Sequence, residues 1–114
     1  MEIIEIRHTI LSVNAAWQGR RFKTSAYKNY EKDLLLMLPN ILIPQPPFKA
    51  YYEFGISAAM DWDNPIKPLQ DILAKKYKFN DNQILEVFVR KVICKTPYFK
   101  FKLEHIYPLY NLQK

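Results

Sequence analysis

The segment Asp61-Trp62-Asp63-Asn64 places two carboxylates two residues apart. In extended backbone such residues point to the same side, so Asp61 and Asp63 would face one point. Carboxylates that close repel each other unless one is protonated or a cation lies between them. Magnesium suits the position: it prefers hard oxygen ligands, takes a few carboxylates and keeps water for the rest. Asp81 is the third acid of interest. It lies past the following helix, where the next strand begins, and a helix packed back on the sheet would return it to the same rim. The plainer reading is an acidic helix cap, favourable to the helix dipole. Asn80-Asp81-Asn82 is also ordinary turn chemistry.

Lys67 follows Asp63 by four residues, near the start of the expected helix. A cation there opposes the helix dipole, which makes sense if it faces the carboxylates or a bound phosphate. A solvated lysine is the alternative. A second group lies upstream, where Arg20, Arg21 and Lys23 are interleaved with Trp17 and Phe22 in a loop that also holds Asn14. Cations of this kind bind phosphates, and the rings either anchor the loop or stack on bases. Lys75, Lys76 and Lys78 are weaker phosphate-binding candidates, because cations at a helix end commonly serve only the dipole. His8 and His105 lie in strand patterns and read as structural. With one cysteine, Cys94, the chain has no internal disulfide and no cysteine set for zinc. Cys94 reads as a small buried hydrophobe, and Asp33 and Asp71 as exposed helix charges.

The elements that must position these groups follow from the hydrophobic pattern. Residues 2–10 alternate as a strand, with Ile4, Ile6, His8 and Ile10 on one face. Residues 11–24 read as a loop. Ser25 is the expected cap of a helix that carries Tyr27, Tyr30, Leu34 and Leu38 at helical spacing and stops before Pro39. After the turn at Pro44, Pro46 and Pro47, residues 48–56 read as a strand. A second helix starts at Pro65, with Ile66, Leu69, Ile72 and Leu73 as its apolar stripe; Pro68 is tolerable in a first turn. Residues 84–93 and 98–106 read as two final strands joined as an antiparallel hairpin. The order β-α-β-α-β-β predicts a single α+β domain over 1–114, a mixed or antiparallel sheet with two helices on one face. Tyr51, Tyr52, Phe54, Phe88, Tyr98, Phe99 and Phe101 are more strand aromatics than a monomer core should need, so some are expected at a homodimer interface.

Composition bounds the function classes. At 49% hydrophobic and 15% aromatic residues over 114 positions, the chain can build one modest core and is not a disordered segment. A net charge of +6 and a pI near 9.4 favour a polyanionic partner, nucleic acid before an anionic membrane surface. No signal-peptide pattern and no stretch near the roughly 20 apolar residues of a membrane span is present. A soluble, cytoplasmic protein with no membrane partner is expected.

Taken together, Ser12-Val13-Asn14 with Trp17, Gly19-Arg20-Arg21-Phe22-Lys23 with Tyr30, Asp61-Trp62-Asp63-Asn64 with Lys67, and Asp81-Asn82-Gln83-Ile84 resemble the RusA family of Holliday junction resolvases. The resemblance covers residues 10 to 105, and it lies in the ordered set rather than in any one motif. It implies a homodimeric endodeoxyribonuclease that resolves four-way DNA junctions in recombination and repair, in bacteria or in cells infected by phage. It implies Mg2+ (Mn2+ as a substitute) held by Asp61, Asp63 and Asp81, with Lys67 as the active-site lysine. DNA contacts are expected from Asn14, Arg20, Arg21, Lys23, Lys75 and Lys76. The chain departs from the family pattern at Ala58-Ala59-Met60, where basic residues are usual, at Asn80, where an acid is usual, and at Pro65 and Pro68. The alternative function is a non-catalytic DNA-binding protein that uses the basic loop 19–23. A purely structural dimer would leave that loop unexplained.

Overall fold

The structure, a computed structural model, describes residues 1–19 and 22–110. Its elements are β1 (Ile4–Arg7), α1 (Val13–Ala16), β2 (Trp17–Gln18), β3 (Phe22–Lys23), α2 (Ser25–Met37), β4 (Phe48–Ile56), α3 (Ile66–Tyr77), β5 (Ile84–Ile93) and β6 (Tyr98–His105), with a 3-10 turn at Asp81–Gln83 before β5. The main sheet has the order β1-β6-β4-β5, in which β4 and β5 are parallel and the other pairs antiparallel. It is an α+β fold with a mixed sheet, and it adds to the expected order a short helix α1 and the small antiparallel pair β2–β3.

Each main helix forms where its pattern and caps direct. Thr24, not Ser25, caps α2: its hydroxyl oxygen accepts from the Tyr27 N–H at 3.2 Å. The same hydroxyl donates to the Ala15 carbonyl at 2.7 Å, which ties the start of α2 to the end of α1. Pro39 ends α2 as expected, with Leu38 as the last cap. In α3, Pro68 is the third residue, where a missing N–H breaks no helical bond. Lys78 closes α3 in the left-handed conformation, φ 57°, with Lys75 and Lys76 in its last turn.

Alternation along β4 and β6 divides their side chains between two faces. Tyr52, Phe54, Phe99 and Phe101 are buried, where they meet Leu69, Ile72 and Leu73 of α3 and Tyr27, Tyr30 and Leu34 of α2 in one core. Tyr51 and Tyr98 point to the other face and are only half-buried, and Phe88 beside Tyr51 is exposed. Both helices therefore cover one side of the sheet, and the expected surplus of aromatics lies on the other.

The expected hairpin of the last two strands is corrected. β5 and β6 run antiparallel but do not pair, because β4 lies between them. The four-residue link 94–97 reaches about 13 Å, enough to cross two strand spacings of about 4.8 Å each. A short connection fixed direction without fixing adjacency. The link is held over the end of β4 by the Cys94 N–H, which donates to the Ile56 carbonyl at 3.0 Å. Gly55 is required beneath it, since a Cβ there would run into the Tyr98 ring. Cys94 is half-buried rather than buried, and its Sγ lies 3.2 Å from the Thr96 carbonyl.

Candidate functional site

The fold brings three separated stretches of the chain to the N-terminal end of α3. Ser12 caps α1 through its side chain, and the Val13 N–H donates to the Asn64 carbonyl at 2.8 Å. This bond docks the segment containing Asn14 against the Asp61–Asn64 turn. Asn14 itself is exposed. Lys67 then lies in the first turn of α3, and its Nζ donates to Asp81 Oδ2 at 3.0 Å and to Asp71 Oδ1 at 2.8 Å. Asp81 is presented by its 3-10 turn, which Asn80 and Gln83 brace with a reciprocal capping box.

The expected shared face of Asp61 and Asp63 is corrected at the backbone. This stretch is a turn, not a strand: Asn64 N–H donates to the Asp61 carbonyl and Ile66 N–H to the Asp63 carbonyl, both at 3.2 Å. In backbone of roughly three residues per turn, side chains two apart diverge by about 120°. The cause is Pro65, whose fixed φ starts α3 immediately after the motif and whose ring is buried. Asp61, Trp62 and Asp63 are all exposed. Among the described residues no three His, Cys, Asp or Glu side chains are gathered as a metal-holding group.

The donor set still has the chemistry that magnesium selects, hard carboxylate oxygens beside open solvent. Asp71 and Asp81 outnumber the one ammonium they share, so this pair of contacts leaves an excess of negative charge in a chain of net charge +6. Lys67 is held above the usual lysine range, first by its hydrogen bond to Asp71 and then by that to Asp81, against a partial loss of hydration. It is thus a fixed cation at neutral pH, able to donate hydrogen bonds to phosphate oxygens but not to accept a proton.

Asp71 is the residue that sequence reasoning missed. It is not a free surface charge but the shorter of the two contacts to Lys67. The signal was the four-residue spacing from Lys67 on a helix. Lys91 was also missed; its Nζ donates to the Ala58 carbonyl at 2.9 Å, just before the turn. An open groove of about 520 Å3 runs beside the motif, lined by Trp62, Ile66, Gln70, Val87, Val89 and Lys91.

The phosphate-binding candidates separate. Lys23 and Lys75 both reach Glu31, at 3.4 and 2.9 Å, and Lys76 donates to the Leu35 carbonyl at 3.1 Å. These lysines join β3 and α3 to α2. Gly19 turns the β2–β3 pair at φ 73°, a conformation that glycine adopts without strain. Trp17 is an anchor, its ring tilted against that of Tyr27 with centroids 5.6 Å apart, whereas Phe22 is 71% exposed on the same ribbon. Arg20 and Arg21 lie outside the described residues. His8 is structural, bonded to Asp33 at 2.9 Å and packed against Tyr30, so Asp33 too has a partner. The His105 Nδ1–H donates to the Gln45 carbonyl at 2.9 Å, and the ring meets Tyr107 edge-on. Among the described residues no helix is long and apolar enough to cross a membrane. No family model matches the chain, and no curated protein matches it.

Proposed function

We propose that the chain is a magnesium-dependent endodeoxyribonuclease of the RusA type, acting on four-way DNA junctions as a homodimer. The observation that carries the reading is the meeting of residues 12–16, 61–67 and 81 at one end of α3, through the Val13–Asn64 and Lys67–Asp81 contacts. Asp61, Asp63 and Asp81 are the residues that would hold Mg2+ (or Mn2+), with Asp81 exchanging Lys67 for the ion. Bound there, the metal supplies Lewis-acid charge and an activated water.

The chain's own groups do the rest. Lys67, already protonated, donates to the phosphate as negative charge builds on it. Asp71 still holds that ammonium when Asp81 turns away. Asn14 presents a neutral polar side chain beside the motif, and the basic sequence 19–23, with Phe22 and Lys23 on β3, holds a DNA arm by phosphate contact and ring stacking. Each chain carries one set of these acids, so paired cuts on two symmetric strands call for two copies.

A second reading is favoured by one specific observation. Lys67 already neutralises Asp81, and among the described residues no three acids are gathered, which suits a protein that binds DNA through loop 19–23 without cutting it. Incubation with a synthetic four-way junction separates the two. The nuclease reading expects paired nicks that require Mg2+ and are lost in Asp63→Asn. Retained binding with no nicks in Mg2+ or Mn2+ overturns it in favour of the binding protein.

A further inference from the structure

We propose that the sheet face opposite the helices is the surface on which two copies of this chain associate, face to face about a twofold axis that crosses the strands at the level of Tyr51. The proposal shares with the function above only the expectation of a pair. It rests on the order of charges along three strands.

The register sets out this face as a grid. Tyr51 is level with Phe88 on β5 and with Lys102 on β6. Two residues to one side, Glu53 is level with Arg90 and Lys100. Two residues to the other, Lys49 is level with Glu86 and Glu104. Every strand therefore carries opposite charges at equal distances from its middle residue: Lys49 and Glu53 on β4, Glu86 and Arg90 on β5, Glu104 and Lys100 on β6.

A twofold axis in the plane of the interface, perpendicular to the strands, reverses the levels and keeps each strand over its own copy. It lays Lys49 on the partner copy's position 53, Glu86 on position 90 and Glu104 on position 100. All three pairs are of opposite sign, and each occurs twice. Sheets packed face to face cross at about 30°. A residue about 7 Å from the axis is then displaced by about 3–4 Å, within the reach of lysine, arginine and glutamate side chains.

The middle level is compatible with contact. Tyr51 and Phe88 are apolar neighbours, ring centroids 6.0 Å apart, and line a shallow hollow of about 220 Å3. Lys102 would meet its own copy, but its ammonium is already bonded to Glu104 at 2.6 Å and lies over the Tyr51 ring. The charges of the face also argue against nucleic acid as its occupant. Lys100 is paired with Glu5 and Glu53, and once Arg7 of β1 is included the face carries five cations against four anions. This is the nearly neutral side of a chain of net charge +6, so its attraction for phosphate lies elsewhere. Four strands span a face at the lower end of specific interface sizes, so the association should depend on protein concentration.

The test uses the full chain without DNA or metal, which keeps it separate from the nuclease reading. Sedimentation velocity is run from micromolar to several hundred micromolar on the parent and on Glu86→Arg, Arg90→Glu and the double variant. Both positions are on an edge strand and exposed, and a thermal melt checks that each variant is folded. Each single change sets like charges against each other twice per dimer, so the dimer dissociation constant should rise at least about tenfold. The double variant reverses both signs and should return to the parent value. Val87→Lys, on the opposite side of β5, should change nothing. A parent that stays monomeric, single variants that associate like the parent, a double variant that does not recover, or dissociation by Val87→Lys would each overturn the proposal.

Discussion

Two ionic clusters in this molecule are built from the same groups in opposite proportion. At one, the Glu31 carboxylate bridges the ammonium groups of Lys23 and Lys75. At the other, the Lys67 ammonium bridges the carboxylates of Asp71 and Asp81. The first holds one cation in excess, and its acid is mostly shielded, 17% exposed, between α2 and α3. The second holds one anion in excess, and Asp61 and Asp63 are exposed in the turn that leads into the same helix. The sign of the surplus decides what each can do. The Glu31 cluster packs elements and leaves a positive edge for phosphate. The Lys67 cluster repels phosphate until another cation arrives, which is the behaviour expected of a metal-dependent site.

The comparison breaks most sharply at the acids. Asp63→Asn and Asp81→Asn should reduce junction cleavage more than about 100-fold, beyond what loss of a residue that only orients a metal ligand costs. Junction binding should hold or tighten, because a negative charge near phosphate has been removed. Gel-shift and cleavage assays on the same preparation check both halves. Cleavage at the parent rate would return the Lys67 cluster to a packing role like that of Glu31. Lys67→Ala should cost about 100-fold in the cleavage rate, the scale of losing one donor to a transition-state oxygen. Since the ammonium acts by charge, Lys67→Arg should recover part of that loss in single-turnover rates, and Asp71→Asn should reduce it less than Lys67→Ala.

The two clusters should also differ in how salt affects binding. Arg20→Ala and Arg21→Ala should each lower the slope of log affinity against log salt by about 0.9, the contribution of one phosphate contact. Lys23→Ala and Lys75→Ala should lower it by less, because Glu31 already neutralises part of their charge. Equal slopes for all four variants would show that the Glu31 contacts open on DNA.

Much of this was legible in the sequence, and the failures share a cause. β4 and α3 were readable because their apolar periods are unbroken and a proline, Pro47 or Pro65, stands just before each, and β5 because Leu85, Val87 and Val89 alternate. The adjacency of β5 and β6 was not readable, because a four-residue link allows a neighbour or a strand in between with equal ease. The Asp61–Asn64 turn was misread because alternation was assumed where Pro65 imposes a helix start. Thr24 was passed over for Ser25, although either hydroxyl can cap; what selects Thr24 is its second bond, to Ala15, across nine residues. Partnerships of that range, such as Lys75 with Glu31, depend on how α2 and α3 pack, and no local pattern encodes them.

The smallest predicted effect tests the comparison through pH. Burial alone would raise the Glu31 carboxyl, but hydrogen bonds and charge from Lys75 and Lys23 outweigh it and hold the group below the ordinary value of 4.5. A carboxyl depressed in the folded state stabilises the fold fully above its unfolded value, and the contribution fades as pH falls through the folded one. Glu31→Gln should therefore lower unfolding stability by about 0.5–1 kcal/mol at pH 7, modest because both lysines remain in contact with solvent. The gap between parent and variant should close as pH falls from about 4.5. Lys67 is raised instead, by Asp71 first and Asp81 second, so its contribution is complete at neutral pH and fades as pH rises through the folded value. Lys67→Met should therefore reduce the parent's dependence on alkaline pH, which Glu31→Gln should leave little changed near pH 10. Urea titrations from pH 3 to 11 check both. A Glu31→Gln gap that persists undiminished to pH 3 would show that the lysines do not hold the Glu31 carboxyl down, and the cluster would lose its half of the contrast.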